Sequence, residues 1–179
     1  DPIEPNPVIQ QQSIAQLMDD IRAKQVEMLF ILGGNPAYSA PADAGFQQNL
    51  ANVPTTVHLA SHFNETSAFC QWHINEAHYL ESWGDVRAED GTVSVIQPLI
   101  APLYEGRGAI EVLGSFIDAQ NGKSAHDLVK DYWTRAHAGA VGGWTITDPS
   151  GQPFKSADSF WKHVLHDGFI PGTASQAGA

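Results

Sequence analysis

Hydrophobic side chains in the N-terminal part of the chain follow first a helical and then a strand pattern. In SIAQLMDDIRA, residues 13–23, apolar residues recur at spacings of three and four, which predicts an amphipathic helix that begins at Ser13. The near-continuous apolar run EMLFIL, residues 27–32, predicts a parallel strand covered on both faces. PADAGFQQNLAN, residues 41–52, predicts a second helix, and TTVHLA, residues 55–60, predicts a second strand.

The order strand, helix, strand at these lengths predicts a βαβ unit with parallel strands. The loop GGNP, residues 33–36, follows the first strand, and the loop SHFNET, residues 61–66, follows the second. Because the carboxyl ends of parallel strands meet at one edge of the sheet, we expect the two loops to lie side by side. Ligands of open α/β sheets bind at this edge, so the two loops form the candidate binding region.

The rest of the chain predicts one more strand, a hairpin and three helices. FCQWHI, residues 69–74, has the composition of a third strand. Segments 86–89 and 92–97 flank Asp90 and Gly91, which predict a hairpin with a two-residue turn. The helices are predicted, in chain order, at 109–119, from a Ser124 cap onwards, and at 156–167 with Gly168 as the stop.

These elements together predict the α/β class: a doubly wound, mainly parallel sheet with flanking helices, a β-hairpin and a C-terminal helical extension. We expect a linker at 1–12, an α/β domain at 13–122, the helical extension at 123–169 and a flexible tail at 170–179.

Composition narrows the classes of function. A net charge of -11 repels phosphate backbones, which argues against nucleic acid as a partner. The single cysteine, Cys70, excludes an internal disulfide and any all-cysteine zinc or iron–sulfur site in this chain. Its apolar surroundings predict a buried, inert thiol. No apolar stretch of the sequence has the length of a membrane span.

The turn formed by Gly33, Gly34, Asn35 and Pro36 has two interpretations. The glycines would let backbone N–H groups approach a ligand closely, and the Asn35 amide would bind a polar head group. The sequence lacks both the third glycine of GxGxxG and the GK[ST] ending of a phosphate-binding loop. Since Gly, Asn and Pro are common turn residues, spacing alone favours an ordinary turn at the end of a strand.

Other polar residues offer weaker candidates. Glu65 and Thr66 follow the second strand, where the carboxylate would accept hydrogen bonds from a ligand or cap the next helix, and capping is the commoner role. His73 and His78 are five positions apart in the sequence, so on a helix they would lie on different faces. This spacing disfavours a metal site and a metal-dependent hydrolase. No serine lies in GxSxG, and we predict no catalytic residue.

Four segments together resemble the molybdopterin-oxidoreductase superfamily: LFILGGNPAYSAPAD, TTVHLASHFNETSAFCQWHINEAHYLESWGD, DGTVSVIQPLIAPLYEGRGAIEVL and WKHVLHDGF. The resemblance covers residues 13–169. It is closest to the molybdopterin-oxidoreductase-like domain of the iron–sulfur B subunit of bacterial alternative complex III. It implies that both loops and a later loop lie near one pterin of a molybdopterin guanine dinucleotide. The positions it assigns to pterin binding, or to a vestige of it, are Gly33, Gly34, Asn35, Pro36, Glu65, Thr66, Glu81 and Gly84.

The resemblance also implies a role without redox centres in this chain. No residue matches a molybdenum ligand, since Cys70 lies in a predicted strand, and cluster-binding cysteines are absent. The domain would scaffold and dock the iron–sulfur module of the same parent protein, beside other subunits of a membrane-bound quinol-oxidising respiratory complex. We expect the isolated chain to be inactive and to hold no cofactor. We also expect it to lie at the periplasmic face of the cytoplasmic membrane, with an export signal preceding Asp1.

One alternative retains the cofactor. The chain would then be a functional part of a molybdoenzyme that holds molybdopterin guanine dinucleotide with the same loops. The negative charge disfavours this alternative, because a pyrophosphate prefers nearby cations and only Arg87 and Arg107 are candidates.

Overall fold

The computed structural model describes residues 8–175, which form two compact units. The N-terminal unit comprises residues 8–77 and 104–109, and the C-terminal unit comprises residues 78–103 and 110–175. Residues 1–7 of the predicted linker and residues 176–179 of the predicted tail lie outside the described residues.

The N-terminal unit is a three-stranded parallel sheet with short helices between its strands. Strand β2 is central in the order β1-β2-β3, and Ile31 of β1 and His73 of β3 both pair with its His58. The elements are α1 (Gln10–Arg22), β1 (Met28–Leu32), α2 (Pro36–Ser39), a 3₁₀ helix (Ala42–Ala44), α3 (Phe46–Leu50), β2 (Thr55–Ala60), α4 (Glu65–Phe69) and β3 (Trp72–Asn75). The predicted βαβ order and the third strand are confirmed.

Two predicted helix details are wrong. Helix α1 begins at Gln10 rather than at Ser13, and its N-cap residue Ile9 makes no side-chain capping bond. Glutamine is a good helix former, so the helix extends into the predicted linker. The predicted helix at 41–52 is split, because Gly45 has φ of +60° and ends the 3₁₀ turn before α3 begins.

The core of the N-terminal unit is formed by helices packed beside the sheet. Met18 and Ile21 of α1 are buried against Phe46 and Leu50 of α3, with Val53 between α3 and β2. Side chains three or four residues apart on α1 lie on one face, which is why the predicted stripe becomes the buried face.

The C-terminal unit is a three-stranded antiparallel sheet with three helices. Its strands lie in the order β4-β5-β6. The elements are β4 (Gly84–Arg87), β5 (Val93–Ile96), α5 (Ala109–Gly114), α6 (Ala125–His137), α7 (Ala157–Asp167) and β6 (Phe169–Ile170), with the first residue of α5 assigned to the N-terminal unit.

The predicted hairpin is present with a longer loop than expected. Ala88 N donates to Thr92 O at 2.8 Å, and Gly91 N donates to Ala88 O at 2.9 Å. The loop is therefore Glu89, Asp90 and Gly91, with Gly91 at φ of +88°. This is a three-residue turn with the glycine in the left-handed region, not a two-residue turn.

Local end signals position the C-terminal helices. Ser124 accepts a hydrogen bond from Asp127 N and begins α6, and Ser156 with Ser159 forms a capping box before α7. Gly168, at φ of +79°, ends α7 as predicted. Helix α5 ends at Gly114, before the predicted residue 119.

The core of the C-terminal unit is largely aromatic. Phe160 is fully buried and stacks on His137 with ring centroids 4.8 Å apart. The buried members are Val93, Val95, Val129, Trp133, Ala136, Ile146, Phe160, Trp161, Val164 and Ile170. Ile170 of β6 pairs with Val93 of β5, whereas the sequence predicted a flexible tail from residue 170.

The α/β class is confirmed: a parallel sheet with flanking helices, an antiparallel hairpin sheet and C-terminal helices. The predicted domain boundaries stay a prediction. None of the helices within residues 8–175 has the length and apolar character that a membrane crossing requires.

Candidate functional site

The loops after β1 and β2 meet at the carboxyl edge of the parallel sheet. Asn35 Nδ2 donates to Glu65 Oε2 at 2.6 Å. Asn35 Oδ1 accepts hydrogen bonds from Thr66 N at 3.2 Å and from Thr66 Oγ1 at 2.8 Å. One side chain of the first loop thus bonds to two residues of the second. The structure brings these three residues together, and their role in binding a cofactor stays a prediction.

Two glycines make the first loop turn sharply. Gly33 and Gly34 have φ of +68° and +69°, in the left-handed region where a side chain is strained. Gly33 N donates to Leu59 O at 2.7 Å, which holds the start of the loop against β2. Among the described residues, neither Gly34 N nor Asn35 N has an acceptor.

The helix that follows is also tied to the second loop. Asn35 occupies the N-cap position of α2, but its side chain makes no capping bond because it reaches Glu65 and Thr66 instead. Pro36 is the first residue of α2, where its missing N–H costs nothing. Ala37 N donates to Thr66 Oγ1 at 2.9 Å, so the Thr66 hydroxyl bonds to both ends of the Asn35–Ala37 segment.

Glu65 is not the cap of α4. That residue is Asn64, whose side chain accepts a hydrogen bond from Ser67 N at 3.1 Å. Glu65 lies in the first turn, where a negative charge is favourable at the positive end of the helix. The hydrogen bond from Asn35 holds the pKa of the Glu65 carboxyl below its usual value, so the group is ionised at neutral pH.

A buried hydrogen-bonded array lies beneath the two loops. His58 is fully buried, and its Nδ1 lies 2.8 Å from Ser67 Oγ, which lies 3.0 Å from His73 Nδ1. His58 Nε2 lies 3.2 Å from the carbonyl oxygen of Gly34, and Asn64 Nδ2 donates to the same oxygen at 3.3 Å. The array therefore fixes the carbonyl group of the glycine turn from two sides.

The Gly34 carbonyl assigns one proton of the array. A carbonyl oxygen accepts only, so His58 Nε2 carries the proton that bonds to Gly34. Ser67 Oγ lies within hydrogen-bond distance of His58 Nδ1, of His73 Nδ1 and, at 3.3 Å, of Asn64 Oδ1, which can only accept. His73, considered above as a metal candidate, is thus linked to His58 through Ser67, and the sequence pattern did not predict this link.

Acidic groups dominate the rim around the glycine turn. A Cβ at Gly33 would lie 3.8 Å from Glu76 Oε2, which shows that this carboxylate approaches the turn. The ionised Glu65 lies beside Asn35 at the same rim. The backbone of Arg107 forms an isolated parallel β-bridge with Glu76. In this bridge, Arg107 N donates to Asn75 O at 2.9 Å.

Glu81 and Gly84 belong to the C-terminal unit and have local structural roles there. Glu81 Oε2 accepts a hydrogen bond from His78 N at 3.2 Å, and Glu81 N donates to His78 O at 2.8 Å. Gly84 is the first residue of β4 and pairs with Ile96. A Cβ at Gly84 would make only ordinary contacts, 3.7 Å from Ile96 Cδ1.

Cys70 lies at the end of α4, not inside a strand as predicted. The thiol is half-buried, and desolvation raises its pKa despite a hydrogen bond with Thr56. In the part of the chain that the structure describes, no three His, Cys, Asp or Glu side chains form a group able to hold a metal ion.

Part of the chain is similar to a subunit of a known protein complex. The chain is 31% identical over 111 residues to the menaquinone reductase, molybdopterin-binding-like subunit of Nitratidesulfovibrio vulgaris (strain Hildenborough). The match covers 60% of this chain and 16% of the length of that subunit. No family model matches the chain. The similarity supports the relation to molybdopterin oxidoreductases predicted from the sequence, and it does not extend to the alternative complex III subunit.

Proposed function

We propose that this chain is a scaffold and docking domain of a respiratory oxidoreductase subunit and that it holds no pterin cofactor of its own. Its partners are the iron–sulfur domain of the same parent protein and other subunits of a membrane quinol-oxidising complex, such as alternative complex III. The complex lies at the periplasmic face of the cytoplasmic membrane, and the isolated chain has no catalytic activity.

The observation that carries the proposal is the set of hydrogen bonds that the Asn35 side chain makes. Its carbonyl oxygen accepts two hydrogen bonds from Thr66, and its amide nitrogen donates to Glu65. A side chain that binds a pterin must offer hydrogen-bond donors and acceptors to the ligand. Any donor or acceptor that is already bonded within the protein must first break that bond. The contacts of Asn35 instead fasten the two loops to each other, as a scaffold requires.

The charges at the rim support the same conclusion. The Glu65 carboxylate is ionised, and the Glu76 carboxylate approaches the glycine turn. A pyrophosphate placed here would be repelled by both groups, since like charges at close range cost free energy outside bulk water. The name of the related subunit, molybdopterin-binding-like, fits a domain that keeps the shape of a cofactor-binding fold.

Two measurements on the purified chain test the absence of a cofactor. Elemental analysis is expected to find no stoichiometric molybdenum or iron. Titration with molybdopterin guanine dinucleotide is expected to cause no saturable rise in the midpoint of thermal unfolding. One molybdenum per chain, or a saturable rise, would overturn this half of the proposal.

A titration tests the docking role separately. The iron–sulfur portion of the parent protein, expressed alone, is titrated into this chain in a calorimeter. We expect a saturable heat of binding with 1:1 stoichiometry. The absence of any heat of binding at concentrations up to the millimolar range would contradict docking. A peptide of the same net charge as the iron–sulfur portion serves as the control for non-specific attraction to the acidic chain.

The second candidate is a functional part of a molybdoenzyme that holds the dinucleotide. The N–H groups of Gly34 and Asn35, which have no acceptor within residues 8–175, favour it, because such groups bind anions. If rim charge alone excludes the cofactor, Glu65→Gln will bind the dinucleotide. Glu89→Gln, which changes an exposed carboxylate in the hairpin loop, is the matched control and will not.

A further inference from the structure

The C-terminal unit contains an open cavity of about 420 Å³ that the proposed function does not use. Strand β4 contributes Asp85 and Arg87 to its wall, and helix α6 contributes Tyr132 and Trp133. Trp144, in the segment after α6, completes the wall. We name this cavity the aromatic groove. Its volume lies within the range of pockets that hold small organic ligands.

Three aromatic rings contact one another in the wall of the groove, where Tyr132 and Trp144 are partly exposed and Trp133 is only 2% exposed. The ring centroids of Trp133 and Trp144 are 5.1 Å apart, and those of Tyr132 and Trp133 are also 5.1 Å apart. Gly142, at φ of +81°, makes room for Trp144, because an added Cβ would overlap the indole ring. Rings that are fixed before binding lose little entropy when a planar ligand packs against them.

The groove also holds a cation without a carboxylate partner. Arg87 Cζ lies 5.4 Å from the centroid of the Trp144 ring, a cation–π contact. No carboxylate among residues 8–175 lies within ion-pair distance of the Arg87 guanidinium. A guanidinium in a cation–π contact keeps N–H donors that can bind a planar anion.

We propose that the aromatic groove is a binding site for a planar aromatic ligand that carries one carboxylate. The ring of the ligand packs against Tyr132 and Trp144, which the buried Trp133 supports, and the carboxylate accepts hydrogen bonds from Arg87. Arginine binds carboxylates in a bidentate arrangement, which fixes both the position and the plane of the ligand. The site is independent of the proposed function, since it lies wholly in the C-terminal unit.

Asp85 sets the orientation of the ligand. Its Oδ2 accepts a hydrogen bond from Trp133 Nε1 at 2.6 Å, so the carboxylate is anchored to the wall. Asp85 and Arg87 are two residues apart on β4, which places their Cα atoms roughly 6.5 Å apart on one face of the strand. A ligand with one acidic end is accepted with that end at Arg87, and a second acidic end would be repelled by Asp85.

Binding of 1-naphthoate to the purified full chain, followed by tryptophan fluorescence, tests the proposal. The neutral isostere 1-naphthamide is titrated in parallel and separates the charge from the ring. We expect saturable 1:1 binding of 1-naphthoate that is about tenfold tighter than that of 1-naphthamide, the ratio typical of one charge-assisted contact. The dicarboxylate naphthalene-1,4-dicarboxylate is expected to bind more weakly than 1-naphthoate.

Two variants locate the site. Arg87→Gln is expected to abolish the preference for the acid over the amide while leaving amide binding within about twofold. Arg135→Gln, an exposed arginine of α6 outside the groove, is the matched control and is expected to keep the preference. Trp144→Leu is expected to weaken both ligands. Absence of saturation, or an acid preference that survives Arg87→Gln, overturns the proposal and leaves the groove as a surface for a protein segment.

Discussion

In the N-terminal unit the interior includes buried polar side chains, whereas in the C-terminal unit it is built from aromatic rings. Thr56, His58, Thr66 and Ser67 are buried beside or within the parallel sheet, and among the described residues Thr173 is the buried polar residue of the other unit. The C-terminal unit instead buries Phe160, Trp161 and Trp133 between two helices and an antiparallel sheet.

This difference indicates what each unit can offer a ligand. At the carboxyl edge of the parallel sheet, polar side chains bond to one another, so the loops are fixed and few side-chain groups are free. In the aromatic groove, the guanidinium of Arg87 has no carboxylate partner among the described residues. A loop rich in polar residues is thus compatible with a structural role, and a ligand site is better sought where a charge is unsatisfied.

The largest expected effect of a single substitution is on the aromatic interior of the C-terminal unit, and it is a loss of free energy of unfolding. Phe160 has no exposed surface and contacts His137 and Phe154, with ring centroids 4.8 and 5.5 Å away. Phe160→Ala removes these contacts and leaves a cavity, so we expect a loss of about 3–5 kcal/mol in the free energy of unfolding. Chemical denaturation followed by tryptophan fluorescence measures the loss.

Leu99→Ala is the control for this substitution, because the Leu99 side chain is 77% exposed in the same unit. We expect its effect to stay within about 0.5 kcal/mol. An effect of Phe160→Ala below 1 kcal/mol would show that the aromatic core is not tightly packed and would remove the contrast between the two units.

The features that sequence predicted well are governed by neighbouring residues. The serine caps at Ser124 and Ser156 and the stop at Gly168 depend on hydrogen bonds within a few positions. The first parallel strand was predicted from the near-continuous apolar run at residues 27–32. The split of the second helix at Gly45 was missed, although a glycine inside a helical pattern is a local sign of interruption.

The features that sequence did not predict join distant positions. Asn35 and Glu65 are 30 residues apart, and their bond depends on how β1 and β2 pair. The array of His58, Ser67 and His73 requires the register that places the two histidines opposite each other on β2 and β3. A residue pattern contains no signal for such a register, since each histidine alone is equally typical of a surface position.

The buried polar array should contribute less than the aromatic core, and mainly through the group left unpaired. Ser67→Ala removes the hydroxyl that bonds to His58 Nδ1, and it leaves that nitrogen buried without its partner. We expect a loss of about 1–3 kcal/mol in the free energy of unfolding. The test is thermal unfolding, together with ¹⁵N NMR of His58, in which the Nδ1 shift should change while the Gly34 carbonyl still holds the proton on Nε2.

Ser61→Ala is the matched control, because Ser61 is exposed and bonds only to the neighbouring His62 among the described residues. It is expected to leave stability and the NMR shift of His58 Nδ1 unchanged. If both serine variants behave alike, the array does not stabilise the loops, and the contrast drawn between the two interiors fails.

The smallest expected effect concerns the rim, where the groups are exposed and screened by solvent. The hydrogen bond from Asn35 is the main reason that the pKa of Glu65 lies below its usual value. A lowered carboxyl pKa in the folded state adds stability that is present above the unfolded pKa and lost as pH falls through the folded pKa. Asn35→Ala should therefore raise the Glu65 pKa, and its destabilisation relative to the unmodified chain should shrink in acid.

A ¹³C NMR titration of the Glu65 carboxyl measures the change in pKa. Asp90, whose pKa is lowered by Thr92 in the hairpin loop, is the internal control, and its pKa should not change. If the Glu65 pKa is unchanged in Asn35→Ala, the amide does not hold the carboxylate, and the Asn35 side chain is free to bind a ligand after all.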